Sequence, residues 1–110
     1  MFETTNVRRV VVIVDATLQN QLIDKIIELG ATGYNTVNCG GRGTHSLTGE
    51  PFKSGELVRI EVIASFDVGA AILDYIHAVQ FQQFGRYPLT AFADTVEVDR
   101  RDRSVTGNDE

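Results

Sequence analysis

Three observations on this 110-residue chain predict an α+β fold of order β-α-β-β-α-β, with four antiparallel strands and both helices on one face. Two segments carry apolar residues at helical spacing. Four others carry β-branched runs or strict alternation. Glycine and short polar residues punctuate the junctions. Two successive β-α-β units with right-handed crossovers close into a sheet of this ferredoxin-like kind.

Val7 to Val14 reads as the first strand, a β-branched run broken only by Arg8 and Arg9. Val10 through Val14 is apolar on both alternating faces, which marks a central strand. Asp15-Ala16-Thr17 offers a turn with N-cap chemistry. Leu18 to Leu29 follows as a helix, with Leu18, Leu22, Ile26 and Leu29 as its stripe and Ile23 and Ile27 widening it. Gly30 is placed as the C′ residue that ends it. Gly33 to Cys39 is the second strand. Leu57 to Ser65 is the third, with Val58, Ile60, Val62 and Ala64 on one face and the mixed set Leu57, Arg59, Glu61 and Ile63 on the other. Asp67 is the expected N-cap of a second helix from Val68 to about Phe84, striped by Val68, Ile72, Ile76 and Val79 and ended by Gly85. Leu89 to Val98 is the fourth strand.

The helices cover one face of such a sheet. The other face carries apolar side chains from the first and last strands and needs cover, most simply from further copies of the chain.

A single domain is expected over residues 1–110, with a core at about 7–99, a loop at about 40–56 and a polar tail at 100–110. Apolar content of 43% and charged content of 23% are those of an ordinary globular protein. A net charge of −5 argues against a nucleic-acid binder, which would need a broad basic face. The single cysteine, Cys39, excludes an internal disulfide and suits a reducing compartment. The N-terminus lacks the basic and apolar regions of a signal peptide, and no apolar run reaches membrane-span length. A cytoplasmic protein without direct membrane insertion is expected.

The stretch from Gly40 to Glu56 has no periodicity and holds five of the ten glycines. Long loops inside compact domains are usually functional. Gly40, Gly41 and Gly43 surround Arg42. Glycine lets backbone N–H groups converge on one point, and such a nest holds anions. An arginine within it adds a planar charged fork suited to phosphate. The loop is therefore expected to bind an anionic ligand, a nucleotide first of all. Among the titratable residues, His45 and His77 read as polar surface groups, and Phe81 and Phe84 as helix-end packing. No catalytic set of nucleophile, base and orienting carboxylate is forced together, so no enzyme activity is expected.

Gly30-Ala-Thr-Gly-Tyr34, then Gly40-Gly-Arg-Gly-Thr44, then a long loop returning into Arg59-Ile-Glu-Val62 resembles the PII signalling superfamily. The likeness covers roughly residues 7 to 99. It is strongest to the PII-like proteins linked to bicarbonate uptake, the SbtB type and the carboxysome-associated type. The resemblance implies a homotrimer whose sheets face a central axis, with adenine nucleotides in the clefts between subunits. It implies that the loop after the second strand, the T-loop, responds to ligand. Carried over, it places Asn35 near the base, and Gly41, Arg42, Gly43 and Thr44 around the phosphates. Arg59 and the turn at Gly85 and Arg86, the B-loop of the family, complete the cleft. One arginine of the tail, Arg101 among Arg100, Arg101 and Arg103, reaches across from a neighbour.

Departures from the family narrow the expectation. The T-loop has no tyrosine for modification, and His45 stands where a glutamine helps hold Mg-ATP and 2-oxoglutarate. Phe84-Gly-Arg-Tyr-Pro88 replaces the glycine-rich, lysine-bearing B-loop. The cysteine pair of some SbtB proteins is absent. Together these weigh against tight ATP binding and favour ADP, AMP or cyclic AMP as effector, while the resemblance implies bicarbonate as a second ligand and no permanent cofactor is expected. The expected role is inorganic-carbon or energy sensing, with a bicarbonate transporter or a carboxysome-related protein as partner. Two alternatives share the fold: a CutA-like trimeric interaction module without nucleotide, and an acylphosphatase-like hydrolase, whose arginine-bearing loop would follow the first strand.

Overall fold

The computed structural model describes residues 3–41, 51–82 and 89–99. Its elements are β1 (Thr4–Asp15), a 3-10 turn (Ala16–Leu18), α1 (Gln19–Glu28), β2 (Asn35–Gly41), β3 (Phe52–Ala64), α2 (Phe66–Gln82) and β4 (Leu89–Asp99). The four strands form one sheet in the order β2-β3-β1-β4, each neighbouring pair antiparallel. This is the ferredoxin-like α+β arrangement expected from the element order.

Pleating separates the residues of each strand onto two faces. Val10, Val12 and Val14 of β1, Val58, Ile60, Val62 and Ala64 of β3, and Leu89 of β4 join Leu22, Ile23 and Ile26 of α1 and Ile72, Ile76 and Val79 of α2 in the core. Ile27, expected to widen the stripe of α1, is 49% exposed instead. One helical step beyond Ile26 already carries a side chain past the contact with the sheet.

The first junction forms as its chemistry predicts. Asp15 Oδ1 accepts from the Thr17 backbone N–H at 2.9 Å and from the Thr17 hydroxyl at 2.6 Å. At the far end of α1, Gly30 takes a φ of 118°. Its N–H donates to the Ile27 carbonyl at 3.0 Å, and the Ala31 N–H donates to the Ile26 carbonyl at 3.2 Å. Those two bonds make a Schellman cap, with glycine supplying the left-handed residue.

Several boundaries differ from the sequence reading. The second helix begins at Phe66, and its cap is Ser65 rather than Asp67. Ser65 Oγ accepts from the Val68 N–H at 3.3 Å, and the Ser65 carbonyl accepts from the Gly69 N–H at 2.9 Å. Asp67 sits one position inside the first turn, where its charge still complements the helix dipole. The ladder also runs further toward the loop than expected. β2 reaches Gly41 and β3 starts at Phe52, with Gly41 opposite Phe52, so both ends of the stretch read as loop are strand. At the other end of the sheet β1 starts at Thr4, three residues before Val7, because β4 continues alongside it to Asp99. The expected helix end at Gly85 lies outside the described residues, as does the side chain of Phe81 and the whole of Phe84.

Candidate functional site

The face of the sheet turned away from the helices carries Arg9, Val11 and Ile13 of β1, Leu57, Arg59, Glu61 and Ile63 of β3, Asn35, Val37 and Cys39 of β2, and Phe92 and Asp94 of β4, as the register requires. Val37 is 54% exposed and Phe92 46% exposed on it. This is the mixed face anticipated for β3, extended across all four strands.

Two of the expected ligand residues meet here. Asn35 opens β2 opposite Glu61, and its Nδ2 donates to Glu61 Oε1 at 3.3 Å. Arg59 lies between Val37 and Ile13 across the sheet, and its guanidinium is 3.9 Å from Glu61 Oε2. At that distance the pair is a loose one, so the Arg59 fork keeps donors for an incoming anion. A third expected residue, Gly41, stands at the base of the loop with φ at 149°. Beside it Gly40 lies at a β-bulge, where the register shifts between Cys39 and Gly41. A Cβ on Gly40 would lie 2.5 Å from the Phe52 carbonyl oxygen. Only glycine admits that approach of the two strands. Across the bulge the Lys53 N–H donates to Glu56 Oε1 at 2.5 Å, and Gly55 holds φ at 91°. The expected residues Arg42, Gly43, Thr44, Gly85, Arg86 and Arg101 lie outside the described residues, as does His45.

Arg9 and Glu61 are not among the expected ligand residues, although Glu61 is expected beside Arg59 on the mixed face. Arg9 Nε donates to Asp94 Oδ1 at 3.0 Å and Nη2 to Asp94 Oδ2 at 2.7 Å, a two-pronged pair. Its Nη1 reaches Glu61 Oε2 at 3.5 Å. A polar line thus crosses the sheet from Asn35 through Glu61 and Arg9 to Asp94. The sequence held one signal of it. Arg9 and Glu61 both fall at odd positions of alternating strands, so each had to leave the core face. Asp15, by contrast, is engaged in the turn after β1. Cys39 is half-buried and reduced.

The hydrogen bond from Arg9 holds the Asp94 carboxyl below its usual range, and the same bond raises the Arg9 guanidinium. A carboxylate depressed in the folded state stabilises that state above its unfolded value, near pH 3.9, and loses the contribution as pH falls through the folded value. Melting curves of Asp94→Asn and the parent are therefore expected to differ above about pH 4 and to converge below it. Both partners are half-exposed, so the difference will be small. A gap that instead widens in acid contradicts the pairing. Among the described residues no group of histidine, cysteine and carboxylate side chains is placed to hold a metal ion. No described helix is long and apolar enough to cross a membrane.

The family model for nitrogen regulatory protein P-II matches residues 7–103, and the chain belongs to that family. No curated protein sequence matches it. Among solved structures it is similar to a candidate PII-like signaling protein from Thermus thermophilus, with 26% identity, a TM-score of 0.71, and 94% of this chain and 99% of that one covered. It is also similar to CPII from Thiomonas intermedia K12 in a structure bound to ADP and bicarbonate, with 15% identity, a TM-score of 0.76, and 91% and 95% covered. The B. subtilis GlnK–ATP complex matches at 15% identity and a TM-score of 0.52 over 81% of this chain and 82% of that one. The last two likenesses speak to the fold.

Proposed function

We propose that this P-II family protein is a cytoplasmic homotrimer that binds adenine nucleotide, ADP or AMP first, in clefts between its subunits. Bicarbonate acts as a second effector, and the ligand state is reported to a partner of inorganic-carbon or energy metabolism, such as a bicarbonate transporter or a carboxysome-related protein. Its role is binding rather than catalysis.

The observation that carries this reading is the convergence of Asn35 and Arg59 on Glu61, with the Gly40–Gly41 bulge at the far end of the same β2–β3 hairpin, in a chain whose P-II match spans nearly its whole length. CPII, similar in fold, has been solved with ADP, AMP and bicarbonate. Asn35 on the edge strand and Arg59 on its neighbour present polar donors, while Val37 and Phe92 stand exposed on the same face. That combination suits a cleft completed by a second copy better than a site closed within one subunit. The turn after β1 is held by Asp15 and Thr17, which weighs against an acylphosphatase-like anion cradle there.

Signalling follows from differential binding. Phosphate contacts from Arg42, Gly43 and Thr44 order part of the T-loop, and Arg86 and Arg101 close over the ligand. Ordering costs about 1–2 kcal/mol per residue fixed, so the ligand must offset it. The ordered loop then presents a different surface to the partner.

Calorimetric titration with ADP tests the reading. Arg59→Ala and Arg42→Ala each remove charge-assisted bonds and are expected to weaken ADP roughly 10- to 100-fold with the oligomer retained. Unchanged affinity in both variants removes these arginines from the site. Hydrolysis of an acyl phosphate in place of ADP binding would support the hydrolase instead.

A further inference from the structure

β1 and β4 outrun the rest of the domain. The β1–β3 ladder starts at the pair Arg8 and Ala64. Four further β1–β4 pairs lie beyond it: Thr4 with Asp99, Thr5 with Val98, Asn6 with Glu97, and Val7 with Val96. The helical layer stops at the same level. Arg8 lies under the first turn of α2, where a Cβ on Gly69 would come 2.8 Å from Arg8 Cγ, and its guanidinium stands 5.7 Å from the Phe66 ring. The extension is a two-stranded ribbon projecting roughly 10–14 Å past the first turn of α2.

The ribbon is two-faced. On the helix side stand Thr4, Asn6, Thr95 and Glu97, all exposed, with the Thr4 hydroxyl donating to Glu97 Oε2 at 3.2 Å. On the other side stand Thr5, Val7, Val96 and Val98. Val7 is buried among its neighbours, and the other three are half-buried. An isolated pair of strands is marginal in water, and one carrying a row of valines on a single side gains by covering it. Past the Arg9–Asp94 pair, the same face continues to Val11 and Phe92 of the open sheet. The P-II family match begins at residue 7, so Thr4 to Asn6 extend β1 beyond the matched part of the chain.

We propose that this ribbon is an intersubunit arm, whose side bearing Thr5, Val96 and Val98 packs on a second copy of the chain. The inference rests on the trimer reading above and adds to it a contact outside the nucleotide cleft. Continuity with the open sheet face selects the occupant. Copies arranged around an axis on that face bring each projecting end over a neighbour, and they bury the valine row together with Val37 and Phe92.

Sedimentation equilibrium of the full chain tests the arm. Val98→Asp and Thr5→Asp place a charge on the apolar side. Asn6→Asp places the same charge on the opposite side, one residue away. The two former variants are expected to raise the trimer dissociation constant at least tenfold, and Asn6→Asp to stay within twofold. Circular dichroism confirms that each subunit is folded. If Val98→Asp does not fold, Thr5→Asp, outside the core, carries the test. Dissociation unchanged in both, or equally weakened by Asn6→Asp, overturns the arm. A wild-type monomer overturns the trimer reading and the arm together. A trimer that dissociates as expected but takes up no ADP leaves the arm standing and removes the nucleotide site.

Discussion

Gly40→Ala is expected to open the base of the β2–β3 hairpin and to weaken ADP at least tenfold. The Cβ would meet the Phe52 carbonyl oxygen at 2.5 Å, the Lys53 carbonyl carbon at 2.6 Å and the Lys53 carbonyl oxygen at 2.8 Å. All three are backbone atoms, so no side chain can rotate away to admit the methyl. The strands must part, and the pairing of Gly41 with Phe52 goes with them. The loss is local, about 1–3 kcal/mol of stability. The larger effect is expected on binding, because the proposed phosphate contacts of Arg42, Gly43 and Thr44 follow directly on the bulge in the chain. Calorimetry with ADP beside a melting curve separates the two effects. Wild-type affinity in Gly40→Ala means that the bulge does not direct the ligand loop.

Ile60→Ala is expected to be the most destabilising of the substitutions considered. Ile60 sits in β3 between Val12 of β1 and Thr36 of β2, fully buried under the helices. Truncation leaves a cavity among rigid neighbours and costs about 2–5 kcal/mol. In a domain of this size that lowers Tm by about 10 °C or more. Ile27→Ala is the comparison. It removes a side chain of the same type from the exposed side of α1 and is expected to shift Tm by only a few degrees, in line with about 0.5 kcal/mol for a surface change. Equal losses at the two positions would contradict the burial assigned to them.

The contrast between Ile60 and Ile27 shows what was legible in the sequence. Strict alternation along β3 assigns Val58, Ile60, Val62 and Ala64 to the core face without ambiguity, because the period of a strand is two. A helical stripe has soft edges. Ile23 and Ile27 flank the same line, and only the position of the sheet decides that Ile23 is buried and Ile27 is not. Caps behave likewise. Ser65 and Asp67 both carry cap chemistry, and the choice between them depends on where β3 stops. Gly30 was unambiguous, since a left-handed residue at a helix end has few other candidates.

The site was legible in part for a related reason. Asn35 and Arg59 belong to neighbouring segments of one hairpin, so their closeness follows from local order. The pairing of Arg9 with Asp94 spans 85 residues and depends on the register of β1 against β4, which no local pattern sets. Arg8 and Arg9 look alike in sequence, yet the pleat sends them to opposite faces. One goes to Thr95 and Phe66 beside α2, the other to Asp94 and Glu61. Val96 and Val98 were read as ordinary strand residues, because the place where the helical layer ends is a tertiary fact.

Native mass spectrometry of the full chain with and without ADP tests the central claim most directly, since it reads oligomer and occupancy in one spectrum. The account predicts a homotrimer that takes up ADP to one per subunit, with uptake reduced in Arg59→Ala and the trimer mass retained. A trimer to which ADP, AMP, ATP and cyclic AMP add no mass, with calorimetry equally silent, would contradict it and favour a ligand-free interaction module.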